Sequence, residues 1–207
     1  MNKESIIKTL EELRKEEKRK FSQTLDLIIN LRNFDVKKQS VNLFIELPNK
    51  FKDKKVCGFL IKKSDLIDSI TKADFDKYKG KELKKLAKKY DFFISIAALM
   101  PAVATTFGKA LGPTGKMPSP QLGILTSEDD KAINAVLEKV NKVVRIKSKE
   151  PSLKVAVGKE DMTNEQIAEN VLLVYNKVLD ALPRKKENLK SAMIKFTMTK
   201  PKKLDIK

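Results

Sequence analysis

The 207-residue chain has no histidine, no tryptophan and a single cysteine, and each shortage closes off a kind of chemistry. Without histidine, the commonest general base and the commonest nitrogen ligand for transition metals are missing. Cys57 alone cannot form an intramolecular disulfide or assemble a zinc site. It stands between Val56 and Gly58 in an apolar stretch and reads as a small buried hydrophobe. No apolar run is long enough to cross a bilayer, and the chain does not open with the charged, apolar and small-residue order of a secretion leader. The cytoplasm is therefore the expected compartment. The acids are scattered among lysines, with no isolated carboxylate pair in an apolar setting to serve as a tuned acid and base.

Positive charge is abundant: 44 Lys and Arg face 27 Asp and Glu, a formal net charge of +17. A field of that sign attracts polyanions, and the lack of a membrane segment puts nucleic acid ahead of a lipid surface or an acidic protein.

The densest local signal is segment 111–120, Leu-Gly-Pro-Thr-Gly-Lys-Met-Pro-Ser-Pro. Gly112 and Gly115 permit backbone angles that a Cβ would block, and Pro113, Pro118 and Pro120 fix φ, which predicts a rigid exposed turn holding Lys116 out to solvent. A phosphate-binding loop would need glycine at Ala110 and a hydroxyl residue at Met117. Gly108, Gly112 and Gly115 also miss the dinucleotide spacing. A nucleotide-binding or phosphoryl-transfer enzyme is thus the alternative these positions oppose. A general basic chaperone or membrane-surface protein is a third reading.

Periodicity organises the rest. Residues 2–20 carry Ile6, Ile7, Leu10 and Leu13 at helical spacing. Leu25, Leu27, Ile29 and Leu31, then Val41, Leu43, Ile45 and Leu47, alternate as two half-buried strands, with the polar stretch 32–40 as a hairpin loop. The continuous apolar run 56–61 predicts a strand buried on both faces, followed by a helix from Ser64 and Asp65 carrying Leu66, Ile67 and Ile70. A helix over 81–90, a strand over 91–97 and a helix capped by Ser127 with Ile133, Val136, Leu137 and Val140 continue the alternation. Two-residue alternation returns with Val144 and Ile146, and with Leu153, Val155 and Val157. Thr163 and Gln166 form a capping box, with Met162 and Ile167 at the staple positions, for a helix through Val171, Val174, Val178 and Leu182. Ala192, Ile194, Phe196 and Met198 then alternate with Lys195, Thr197 and Thr199, and Met198 falls by parity on the apolar side.

The expected class is α/β: an α+β split domain with an antiparallel sheet built from both chain ends, 1–56 and 149–207, and an inserted Rossmann-like three-layer α/β domain, 57–148. Two crossing connections would restrain twisting and permit hinge opening.

Four clusters are binding candidates. The first is Lys18, Arg19, Lys20, Phe21, Ser22, Gln23 and Thr24, where cations, an aromatic and hydrogen-bonding groups suit RNA phosphates, bases and 2′-hydroxyls. Phe21 reads equally well as a core residue. The second is the polar face of the last strand, Ser191, Lys195, Thr197 and Thr199, with Lys200 following. The third is the 111–120 loop with Lys109 adjacent. Lys84, Lys85, Lys88 and Lys89, at helical spacing, are a fourth and read as a solvated face adding long-range attraction.

Together these blocks closely resemble the large-subunit ribosomal protein one family. Leu99-Met100-Pro101 and the 111–120 segment match its Leu-Met-Pro and Leu-Gly-Pro-x-Gly-Lys-Met-Pro-x-Pro pattern. Phe21-Ser22-Gln23-Thr24, Val157-Gly158-Lys159 with Met162-Thr163 and Glu169-Asn170, and Thr197-Met198 match further blocks. The run Leu86-Ala87-Lys88-Lys89-Tyr90-Asp91 is similar to the archaeal and eukaryotic branch. Thr199 stands where the family usually has glycine, and Thr114 where arginine is frequent. The resemblance implies a non-enzymatic ribosomal protein without cofactor or metal, monomeric when free, whose split domain binds large-subunit rRNA. It also implies help in releasing deacylated tRNA from the exit site, and repression of translation through the protein's own operon mRNA. The implied RNA contacts are Lys20, Phe21, Ser22, Gln23, Thr24, Lys159, Ser191, Lys195, Thr197, Met198, Thr199 and Lys200, with Lys109, Gly112, Gly115 and Lys116 as a secondary contact loop.

Overall fold

The structure, a computed structural model, describes residues 2–16, 19–36, 39, 41–120, 122–148 and 150–205. In chain order its elements are α1 (Lys3–Arg14), β1 (Thr24–Leu31), β2 (Asn42–Glu46), β3 (Val56–Phe59), β4 (Asp68–Ile70), α2 (Lys81–Lys89) and β5 (Phe92–Ile96). They continue with α3 (Met100–Thr114), β6 (Ile124–Leu125), α4 (Asp130–Lys142), β7 (Val143–Lys147), β8 (Ser152–Lys159), α5 (Asn164–Ala181), β9 (Leu189–Phe196) and β10 (Lys202–Leu204). The chain divides into two compact units, one made by the described residues up to Lys52 and from Lys142 onward, the other by Asp53–Asn141.

In the first unit four antiparallel strands run in the order β10-β9-β1-β8. Strand β1 is central, with Leu25 opposite Phe196 and Asn30 opposite Ser191 on β9, and Ile29 opposite Leu153 on β8. The two-residue period sends Leu25, Leu27, Ile29 and Leu31 into a core shared with Ile6, Leu10 and Leu13 of α1 and Ile167, Val171, Val174 and Val178 of α5. The start of α5 is doubly specified. Thr163 Oγ1 accepts the Gln166 N–H at 3.3 Å, Gln166 Oε1 accepts the Thr163 N–H at 3.4 Å, and Met162 packs on the core that holds Ile167.

Three expectations change in this unit. Helix α1 stops at Arg14, well short of residue 20. Strand β2 does not form a hairpin with β1, because β8 and β9 already occupy both edges of β1; it pairs with β7 in a separate two-stranded sheet. Of the supposed hairpin loop, residues 37, 38 and 40 lie outside the described ones. Met198 leaves the apolar side because β9 ends at Phe196 and the chain turns, which leaves Met198 58% exposed.

The inserted unit is a parallel sheet in the order β4-β3-β5-β6. On one face Cys57, Phe59 and Phe93 pack with Leu86 and Ala87 of α2 and Val103 and Phe107 of α3. On the other, Val56, Leu60, Ile94 and Ile96 meet Ile133 and Val140 of α4, so the unit has three layers. Cys57 is buried, and desolvation pushes its thiol up to about 12, which makes it inert.

Three expectations change here as well. No helix begins at Ser64; its Oγ accepts the Leu66 N–H in a tight turn, and residues 68–70 instead extend to pair with the free edge of β3 as β4. Ser127 does not cap α4, since its hydroxyl is donated to the Asp129 carboxylate and the helix starts at Asp130. Finally, 111–114 is not loop but the last turn of α3. The Lys116 N–H reaches the Leu111 carbonyl and the Gly115 N–H the Gly112 carbonyl, with Gly115 at φ 71°. That is the Schellman closure, in which the left-handed residue is best a glycine. Gly112 is helical, and a Cβ there would meet nothing within 4 Å.

Candidate nucleic-acid interface

At one end of the antiparallel sheet, three stretches far apart in sequence are laced together: the approach to β1, the turn from β8 into α5, and the turn after β9. Thr197 Oγ1 accepts the Thr24 N–H at 3.2 Å and donates to the Thr24 carbonyl at 3.3 Å. Gln23 is 3% exposed, and its Oε1 accepts the Met198 N–H at 3.1 Å. The Glu160 N–H donates to the Gln23 carbonyl at 2.8 Å, the Gln23 N–H donates to the Glu160 carboxylate at 3.3 Å, and the Ser22 hydroxyl donates to Asp161. Backbone groups that a strand end would leave unmatched are thereby paired, and the side chains around them are held in place. Phe21, 52% exposed, and Met198 stand out from this frame, so Phe21 is not a core residue.

The residues expected to bind RNA are thus only partly together. Lys20, Phe21, Ser22, Gln23 and Thr24 meet Thr197, Met198 and Thr199; Lys159 begins the adjoining turn, closed by the Met162 N–H to the Lys159 carbonyl at 3.1 Å, and Lys200 is exposed just beyond. Thr199 folds its hydroxyl into its own turn, where it accepts the Phe196 N–H at 2.9 Å, so the Cβ that a glycine would lack points inward. Lys195 lies one step along the sheet opposite Asp26. Burial raises the Asp26 carboxyl above its usual range, and the Lys195 charge partly offsets this. Ser191 is at the other end of β9, about 20 Å from Thr197 at ~3.3 Å per residue, and its Oγ accepts from Asn30 at 3.0 Å. Lys18 lies outside the described residues.

The secondary loop turns inward. Lys116 is not displayed to solvent; its ammonium donates to the carbonyls of Ala87 and Tyr90, both at 2.8 Å, and closes the C-terminus of α2. Lys109 remains exposed on α3.

Sequence reasoning missed Arg14. From the last turn of α1 its guanidinium donates to Asn164 Oδ1 at 2.8 Å, the Glu160 carbonyl at 2.8 Å and the Met162 carbonyl at 2.6 Å, and it lies 6.0 Å from the Phe196 ring centroid. A five-donor planar fork suits such a task. In sequence it is one more charge on a helix, with partners almost 150 residues away. The Glu169-Asn170 pair also serves as scaffold. Asn170, fully buried, donates to the carbonyls of Asn49 at 2.9 Å and Val157 at 2.8 Å, while Lys3 and Asn49 hold the Glu169 carboxyl below its usual range.

Residues 13–200 match the Ribosomal protein L1p/L10e family. The chain belongs to this family. Among its relatives is the "Large ribosomal subunit protein uL1" of Nanoarchaeum equitans, 35% identical, with 89% of this chain and 92% of the relative covered. Proteins of the same name from Methanothermococcus thermolithotrophicus and Thermococcus kodakarensis are 34% and 32% identical, covering 99% and 95% of this chain and 100% and 95% of the relatives. These L1-family relatives are archaeal, in keeping with the 86–91 run, and lend no support to the nucleotide-enzyme alternative.

Proposed function

We propose that this protein is a structural, non-enzymatic constituent of the large ribosomal subunit that binds large-subunit rRNA directly through the laced end of its antiparallel sheet. The observation that carries this reading is the convergence of residues 20–24, 159–161 and 197–199. Their mutual hydrogen bonds leave a preorganised surface carrying Lys20, Phe21, Met198 and Lys200. Cations there meet phosphates, and the ring and thioether meet bases or riboses. Lysines elsewhere, Lys109 among them, supply attraction and salt dependence. Ser191 and Lys195 extend the contact along the open face of the sheet. On this reading the discontinuous unit is the RNA-binding domain, the protein works on cytoplasmic ribosomes, and it acts as a monomer before assembly.

Titration of a labelled large-subunit rRNA fragment in moderate salt tests the reading. Saturable binding much tighter than to a scrambled RNA of equal length is expected, and equal affinity for both would sink it. Assistance to the release of deacylated tRNA from the exit site and repression through the protein's own operon mRNA belong to the same proposal. A reporter message carrying the native leader should be translated less when the protein is added.

A further inference from the structure

Beside the laced strand ends is a cleft of about 290 Å³ lined by Glu16, Arg19, Gln23, Met198 and Thr199. That is at the lower limit of small-molecule sites, about 300 Å³, so it suits one nucleoside and no more. The Gln23 amide is oriented without ambiguity, because its Oε1 accepts the Met198 N–H and Nε2 must then point the other way. Nε2 has no partner among the described residues, and it is not sealed off either. Among those residues, Tyr175 Oη is the single buried side-chain nitrogen or oxygen without a hydrogen bond. The Glu16 carboxylate, exposed at the end of α1, likewise has no partner among the described residues. The cleft therefore presents a fixed N–H donor, a carboxylate acceptor, a cation and a thioether.

We infer that this cleft receives an unpaired guanine of the bound RNA, and that Gln23 and Glu16 read it. The inference rests on the RNA-binding reading above and adds to it a base-specific subsite. Guanine is the base whose Watson–Crick edge fits: N1–H and N2–H donate side by side to a carboxylate, while O6 accepts from an amide N–H. Adenine offers that carboxylate a single donor group, N6–H₂, beside an acceptor. Single-stranded bases splayed from RNA are read on this edge. Met198 offers a polarizable face for the ring, and Arg19 supplies positive charge for the phosphate.

The test uses the full chain, the rRNA fragment and a dicarbonyl reagent that modifies N1 and N2 of unpaired guanines. Wild type should protect at least one guanine. Glu16→Ala makes the protein more positive, so charge alone predicts tighter binding; the inference predicts binding weaker by roughly tenfold and return of that guanine's reactivity. Glu11→Ala, the same change of charge on α1, should not weaken binding. Gln23→Glu keeps an oxygen for the Met198 N–H but removes the donor, and should also bind roughly tenfold less, with thermal melting showing that the fold is intact. Selective binding with no guanine protected, or protection and affinity undiminished in Glu16→Ala, overturns the inference alone. Unselective binding by wild type overturns the RNA reading and the inference together.

Discussion

Segments 20–24 and 111–120 each carry one lysine together with hydroxyl side chains, yet they direct them in opposite ways. At the sheet end, backbone and short polar side chains satisfy one another, Thr24 with Thr197 and Gln23 with Met198 and Glu160, while Phe21 and Met198 stay outside. In the inserted unit Lys116 is turned inward to the last carbonyls of α2, and 111–114 completes α3. A surface can bind a partner only with the groups left over once the chain's own donors and acceptors are matched. The first segment has such groups, and the second has mostly used its own.

Four substitutions bear on that contrast. The largest effect is expected from Arg14→Ala, which removes three charge-assisted hydrogen bonds from the 160–164 turn. Urea unfolding should show a loss of about 3 kcal/mol, with weaker rRNA binding. Full rescue by Arg14→Lys would show that the guanidinium fork is unnecessary. Lys116→Met should cost about 2 kcal/mol of stability and leave rRNA affinity nearly unchanged. A large loss of affinity without a loss of stability would instead restore Lys116 as a contact residue and erase the contrast. Phe21→Ala should reverse that pattern: its ring stands outside the frame, so rRNA affinity should fall by about 1–2 kcal/mol, with smaller change in the melting temperature.

Asp26→Asn is the mildest. The folded-state pKa of Asp26 lies above its ordinary value of 3.8, so between those two pH values the folded chain keeps a proton that the unfolded chain has released. Stability contributed by this group therefore falls as pH rises through that window. Melting curves of the Asn variant from pH 3 to pH 6 should lack this decline; an identical pH profile would show that Lys195 fully compensates the half-buried carboxylate.

Much of this was legible in advance because it depends on neighbours in sequence. Alternation marked β1 and β8, helical spacing marked the buried stripes of α1 and α5, and the Thr163 to Gln166 box specified where α5 begins. Short apolar segments were harder. Leu66, Ile67 and Ile70 fit a helical face, but an open edge on β3 drew residues 68–70 into a strand. Met198 followed the parity of its strand only until the strand ended.

The sequence by itself determined which residues face a core, where most helices and strands run, the excess of positive charge and, through its motif blocks, the family. Tertiary structure decided which strands flank β1, which way Lys116 points, that Arg14 clamps a distant turn, and that Gln23 and Glu16 share a cleft. The physical reason is that periodicity and capping act within a few residues along the chain. The partner of a free edge, carbonyl or guanidinium is settled only when separate elements come together, some of them more than a hundred residues apart.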